Sequence, residues 1–154
     1  MTRILCLDDD LETVNFLSLL FKRAGYEVLT TTSSYEALEI LHQQPIDLLT
    51  QDFMRPELDG LDFLKIMKSD AALRDIPVVS VAARVSDELA EAVKQAGFDP
   101  DRDLDGYVAK PFSPFEIVDA VEAALTRHGK TIPPQAVHLR AKYLSQQSLE
   151  TDRP

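Results

Sequence analysis

Cysteine is almost absent. Cys6 is the single one, so no disulfide can form within the chain, and its place inside the first apolar run reads as a small buried core thiol suited to a reducing compartment. Basic residues are in deficit, with 16 Lys and Arg against 26 Asp and Glu and a formal net charge of -10. No basic run interrupts that background, which opposes the phosphate backbone of nucleic acid. Long apolar runs are missing as well. No window approaches the roughly 18 apolar residues that span a bilayer, and the start MTRILCLDDD has no charged leader before a long apolar stretch. These absences predict a soluble, unexported, cytoplasmic protein that binds neither membrane nor nucleic acid. What remains, 154 residues at 45% apolar content, suits one globular domain with a full core plus a short extension.

Short apolar runs alternate with helical patterns, which predicts βα units, right-handed crossovers and a parallel sheet covered on both faces. Strands are expected at Arg3 to Leu7, Glu27 to Thr31, Ile46 to Gln51, Pro77 to Val81 and Gly106 to Ala109. A helix capped by Asp10 shows Leu11, Val14, Leu17, Leu20 and Phe21 and stops at Gly25. Ser33 with Glu36 opens a second helix over Tyr35 to Leu41. A third runs near Leu61 to Lys68, and Ser86 or Asp87 caps a fourth. Ser113, Pro114 and Glu116 combine an N-cap, a first-turn proline and a capping-box acid before a fifth helix that reaches about Arg127, and Gly129 closes the domain.

Asp8 and Asp9 follow ILCL, Asp52 follows IDLLTQ, and Lys110 follows GYVA. In an open α/β sheet the ligand crevice lies at the carboxyl ends of the strands, so these four side chains converge. By itself an acidic triplet before a helix serves capping and the helix dipole, and Asp10 is read as only that. Asp8, Asp9 and Asp52 together bring several negative charges into one crevice. Two like charges roughly 4 Å apart repel by about 4 kcal/mol at a surface-like dielectric, which calls for a cation or a raised pKa. Oxygen ligands alone point to Mg2+, with Mn2+ the other admissible ion. Lys110 adds a compact positive charge that can pair with Asp52 and then hold a phosphoryl oxygen. Asp52 is the candidate nucleophile, since a carboxylate can attack phosphorus in line to give an acyl phosphate.

The segments ILCLDDD, DLLTQDFMRPELDG, IPVVSVAA and GYVAKPF together resemble the receiver domain of bacterial response regulators, over about residues 2 to 128. The resemblance implies a flavodoxin-like five-stranded parallel sheet of order 2-1-3-4-5 with five helices, over 1 to 128, and a C-terminal tail over 129 to 154. It implies that Asp52 is the phosphoacceptor, and that Asp9, Asp52 and the Met54 carbonyl ligate the metal directly while Asp8 acts through water. Lys110 and the Ala83 backbone would bind phosphate. Pro111 would follow a cis peptide, and Tyr107 would be the aromatic switch. The phosphoryl donor would be a sensor histidine kinase or a phosphotransfer protein, and the receiver would catalyse only its own phosphorylation and hydrolysis. His42, His128 and His138 lie outside the site-forming segments and are read as surface or boundary residues, not relays.

Three departures bear on the mechanism. Ala82 stands where the family has Thr or Ser, and a missing hydrogen bond to a charged group costs about 1.5 to 3 kcal/mol, enough to weaken the switch about tenfold to a hundredfold. Ser80, on the same face but roughly 6 to 7 Å deeper, does not replace it. The loop between Gly97 and Gly106 carries Asp99, Asp101, Asp103 and Asp105. It satisfies the opening of a calcium loop, but its twelfth position falls on Phe112, so a solvated acidic loop is the better account. Arg55 follows Met54 before Pro56, and Met54 and Arg84 would border the phosphoryl group and tune its hydrolysis. Residues 130 to 154 permit one short helix with Val137, Ala141 and Leu144 on one face, able to dock on the domain or a partner, or else a mobile tail.

The resulting expectation is a stand-alone receiver that signals through protein contacts. Its downstream target or a second copy would be met by the fourth helix, fifth strand and fifth helix. Two rivals stand beside it. One is a phosphate-independent module, favoured by Ala82. The other is a magnesium-dependent phosphohydrolase, disfavoured because Met54 occupies the general-acid spacing after Asp52 and no hydroxyl loop follows Asp8 and Asp10.

Overall fold

The computed structural model of the chain describes residues 1–53, 58–82, 87–98 and 105–151. Its strands are β1 (Arg3–Leu7), β2 (Glu27–Thr31), β3 (Leu48–Asp52), β4 (Val78–Ala82) and β5 (Gly106–Ala109). Its helices are α1 (Leu11–Arg23), α2 (Ser34–Gln43), α3 (Gly60–Ser69), α4 (Asp87–Gln95), α5 (Pro114–Arg127) and α6 (Pro134–Thr151). The five strands form one parallel sheet of order β2-β1-β3-β4-β5. This is the flavodoxin-like fold anticipated from the resemblance, with the helix α6 added after α5.

Local chemistry sets the helix starts. The Asp10 carboxylate accepts the Glu12 N–H and the Thr13 hydroxyl, Ser33 accepts the Glu36 N–H, and Asp59 accepts the Asp62 N–H. Ser113 and Glu116 complete a reciprocal capping box with Pro114 in the first turn. Each such cap stabilises by about 1 kcal/mol. Alternation along the strands then divides the core in two. One half gathers Ile4, Cys6, Leu48, Val79 and Val81 under α1 and α5, and the other gathers Leu5, Leu7, Leu49 and Val78 under α2, α3 and α4. Burial pushes the Cys6 thiol up to about 12, so it is a core side chain without reactivity.

β3 begins two residues later than the apolar pattern suggested and ends on Asp52 itself. Asp47 instead meets β1 with its side chain and backbone: Arg3 N–H donates to the Asp47 carboxylate, and Asp47 N–H donates to the Arg3 carbonyl.

The C-terminal segment differs most from expectation. α6 has 18 residues, and it docks on a face other than the one its spacing suggested. Val137 and Leu144 are about half exposed and Ala141 is exposed, whereas Ala136 is fully buried and Ile132, Leu139 and Tyr143 pack on the core between α1 and α5. On the docked face Arg140 also pairs with Asp119 and Glu122 of α5, at 3.1 and 3.2 Å. At the base, Thr131 accepts the Thr2 hydroxyl at 2.6 Å. Gly25 has φ +90°, and a Cβ there would lie 2.9 Å from Pro133, so only glycine allows the approach.

Asp105, read from sequence as part of a solvated loop, is buried. Its backbone N–H donates to the Val78 carbonyl, its carboxylate accepts the Val78 N–H at 2.8 Å and meets His128 Nε2 at 2.6 Å, and its carbonyl accepts from Arg127. Both carboxylate oxygens are thus engaged by the protein, which removes Asp105 from any calcium loop. Asp99, Asp101 and Asp103 lie outside the described residues.

Removal of residues 130–154 strips an apolar cover from α1 and α5 and is expected to lower unfolding stability by on the order of 3 kcal/mol in urea melts; a change below about 0.5 kcal/mol would mean that α6 is not part of the folded unit. The exposed His42–Asp70 pair, 2.7 Å apart, raises His42 above its ordinary 6.5 and lowers Asp70 below its ordinary 3.8, each chiefly through their shared hydrogen bond. The raised His42 contributes stability fully below 6.5 that is lost as pH rises through its folded pKa, and the lowered Asp70 contributes above 3.8 and loses it on acidification. An NMR titration is expected to place the His42 ring above 6.5, and Asp70→Asn is expected to return it downward.

Candidate functional site

The parallel sheet delivers four charged side chains to one edge. β1 ends at Leu7 and passes directly to Asp8 and Asp9, β3 ends on Asp52, and β5 ends one residue before Lys110. Register aligns Leu7 with Gln51, Asp52 with Val81 and Ala82 with Ala109, so the strand ends sit level. Carboxylate oxygens of Asp8, Asp9 and Asp52 lie within 4.8 Å of one another. Asp8 and Asp52 are buried and Asp9 is exposed.

Lys110 is the cation of the site, and its partner differs from the one expected. Nζ is 2.8 Å from Asp8 Oδ2 and 3.5 Å from Asp52 Oδ2. Partial burial pushes the ammonium down, but the hydrogen bond it donates to Asp8 and the charges of Asp8 and Asp52 outweigh that and hold its pKa above the ordinary lysine value. The other Asp8 oxygen accepts the Asp10 N–H at 2.9 Å. Each Asp8 oxygen therefore already has a donor. Asp10 is turned to α1, and its hydrogen bond from Thr13 chiefly holds its carboxyl below the ordinary range.

A hard divalent cation fits this donor set. All three side chains offer oxygen, and the 4.8 Å spread is close to the roughly 4 Å that separates opposite ligands around Mg2+. Exposure of Asp9 leaves room for the waters that Mg2+ retains.

The remaining sequence-derived positions divide into three groups. The Lys110–Pro111 peptide is cis. Tyr107 lies opposite Ser80 in register, half-buried against the core under α3 and α4. Ala82 ends β4, while Met54, Ala83 and Arg84 lie outside the described residues. Ser80 is fully buried and accepts from Gln51, which fits its expected inability to stand in for a hydroxyl at position 82. Gln51 itself escaped the sequence reading. The available signal is a large amide directly before Asp52 in a strand that opens with Leu48 and Leu49. Beside Lys110, the rings of Phe16 and Phe112 meet at 6.1 Å and line an open cleft with Thr13 and Pro111.

Known proteins share this family and fold. The model of the response regulator receiver domain matches residues 4–122. The response regulator SaeR of Staphylococcus aureus is 36% identical over 130 residues, which is 84% of this chain and 53% of SaeR, so the chain spans about half the length of the curated relatives it matches. Among solved structures, chemotaxis protein CheY4 of Vibrio cholerae superposes with a TM-score of 0.72 at 25% identity, covering 81% of this chain and 99% of that one. A putative response regulator from Chloroflexus aurantiacus gives 0.71 at 30% identity, covering 81% and 98%. With the sheet order, the acidic cluster and the strand-end lysine in place, this chain belongs to the response regulator receiver domain family.

Proposed function

We propose that the chain is a phosphoacceptor of two-component signalling, with Asp52 taking a phosphoryl group from a sensor histidine kinase or phosphotransfer protein. The observation that carries this reading is the meeting of three carboxylates and Lys110 at one sheet edge in a chain of the receiver family.

Asp9, Asp52 and the Met54 carbonyl would hold Mg2+ directly, with Asp8 acting through water. When bound, Mg2+ supplies compensation for charge on the phosphoryl oxygens. Asp52 Oδ attacks phosphorus in line, the bond from phosphorus to the donor breaks, and its electron pair leaves with the donor group. Lys110 is held near Asp52 by Asp8, so its ammonium stands ready to pair with a phosphoryl oxygen. The Ala83 backbone would add an N–H. Hydrolysis of the acyl phosphate by water returns Asp52 to its starting state, and the chain acts on its own phosphoryl group, not on a separate substrate.

The output is read as protein contact in the cytoplasm, on a target or a second copy through α4, β5 and α5. The docking of α6 on α1 and α5 makes the extension part of the α5 side of that surface. Tyr107 is the proposed switch. A phosphate-independent module is the second reading, favoured by the absent hydroxyl at Ala82.

Two experiments test the reading. Intact mass after incubation with Mg2+ and a small acyl phosphate is expected to rise by one phosphoryl group in the wild type and not in Asp52→Asn; no gain while metal is bound would leave the phosphate-independent module. Mg2+ at ten times its dissociation constant is expected to raise unfolding stability by about 1.4 kcal/mol, and Asp9→Asn to abolish most of that gain, in urea melts with and without the ion.

A further inference from the structure

Gln51 immediately precedes Asp52, and its side chain is fully buried. Strand alternation sends it to the face opposite Asp52, into the core half that contains Leu49, under α3. Nε2 lies 3.4 Å from the Gly60 carbonyl oxygen and 3.5 Å from Ser80 Oγ. A primary amide carries two N–H donors, so it can serve both acceptors at once. These are long bonds, and their strength rests on the dry surroundings.

Gly60 is the first residue of α3, and it also touches the residue on the other side of Asp52. Its N–H donates to the Phe53 carbonyl at 2.7 Å. A Cβ on Gly60 would come within 2.6 to 2.9 Å of the Phe53 ring and Cα, so the approach requires glycine. Residues 51 and 53 are thereby both fastened to Gly60, with Asp52 between them. If packing were the only need, Leu would fill this space without burying an amide that must then be satisfied.

We propose that Gln51 is a positioning residue for phosphorylation: its amide, shared between Gly60 and Ser80, fixes the backbone of Asp52 against α3 and β4 and so aims the carboxylate at phosphorus. This rests on Asp52 being the phosphoacceptor. The gain is orientational, since a carboxylate held in its attacking pose avoids the loss of rate that small misplacements bring.

The test uses the full chain, Mg2+ and acetyl phosphate, and reads phosphorylation rate by intact mass over a range of donor concentrations, at a temperature where every variant is folded by circular dichroism. Gln51→Leu keeps the bulk and removes both donors. Its maximal rate is expected to fall about fivefold or more at an unchanged half-saturating donor concentration, with Ser80→Ala falling about twofold. Equal maximal rates in the wild type and Gln51→Leu would overturn the positioning role and leave Gln51 a satisfied core amide. Should Gln51→Leu fail to fold, Gln51→Asn, whose amide is one methylene short of Gly60, is expected to show the same fall, and wild-type rate in that variant would equally overturn it. A wild type that gains no phosphoryl group at all removes the phosphoacceptor reading, and this inference with it, which sets that failure apart from the other two.

Discussion

Lys110 and Asp8 are 102 residues apart in the chain and 2.8 Å apart in space. Their contact joins the end of β1 to the turn after β5 over the ends of the two strands between them, and the charge balance of the crevice depends on it. Asp8 is almost fully buried, and a carboxylate there without a partner would carry a large desolvation cost. With the ammonium beside it and the Asp10 N–H on its other oxygen, Asp8 is satisfied. Asp52 then shares the same cation at a longer distance, and Asp9 faces solvent. The three carboxylates thus have three different environments, which separates a structural acid, an acid open to water and a central one between them.

That arrangement is positioned from below as well as from above. β3 is buried along its whole length, yet three of its five residues, Thr50, Gln51 and Asp52, are polar. A parallel strand covered on both faces ordinarily reads as a continuous apolar run. Buried polar side chains are mostly hydrogen-bonded, and the amide of Gln51 finds its partners on α3 and β4. Gly60 completes the arrangement because its missing side chain lets α3 begin against the Phe53 backbone.

On the opposite side of the molecule the extension has become part of the body. Its docking combines a small apolar contact with ion pairs from Arg140 to α5. The Tyr26 hydroxyl and one carboxylate oxygen of Glu122 are buried in this region without hydrogen-bond partners among the described residues. Burial, with the charge of Glu122 adding to it, raises the Tyr26 phenol above its ordinary pKa.

Local sequence is enough to give the strands, the helix caps and the acids at the strand ends. Each depends on neighbours a few residues away: the alternation of βα units, Ser113 with Glu116, the aspartates that end short apolar runs. With the family resemblance this placed Asp8, Asp9, Asp52 and Lys110 in one crevice. Only the tertiary structure decided which carboxylate Lys110 meets first, because the distances to Asp8 and Asp52 differ by less than 1 Å and no local pattern encodes them. It also turned α6 so that Arg140 reaches Asp119 and Glu122 and Val137 and Leu144 face outward, against the weak apolar spacing. Asp105 passed from an acidic loop in the sequence to a buried anchor for the same reason, since His128 and Val78 are distant in sequence and adjacent in space. Periodicity reports which face of an element is buried when hydrophobic burial dominates, and it is silent where long-range charge and hydrogen-bond partners choose the contact.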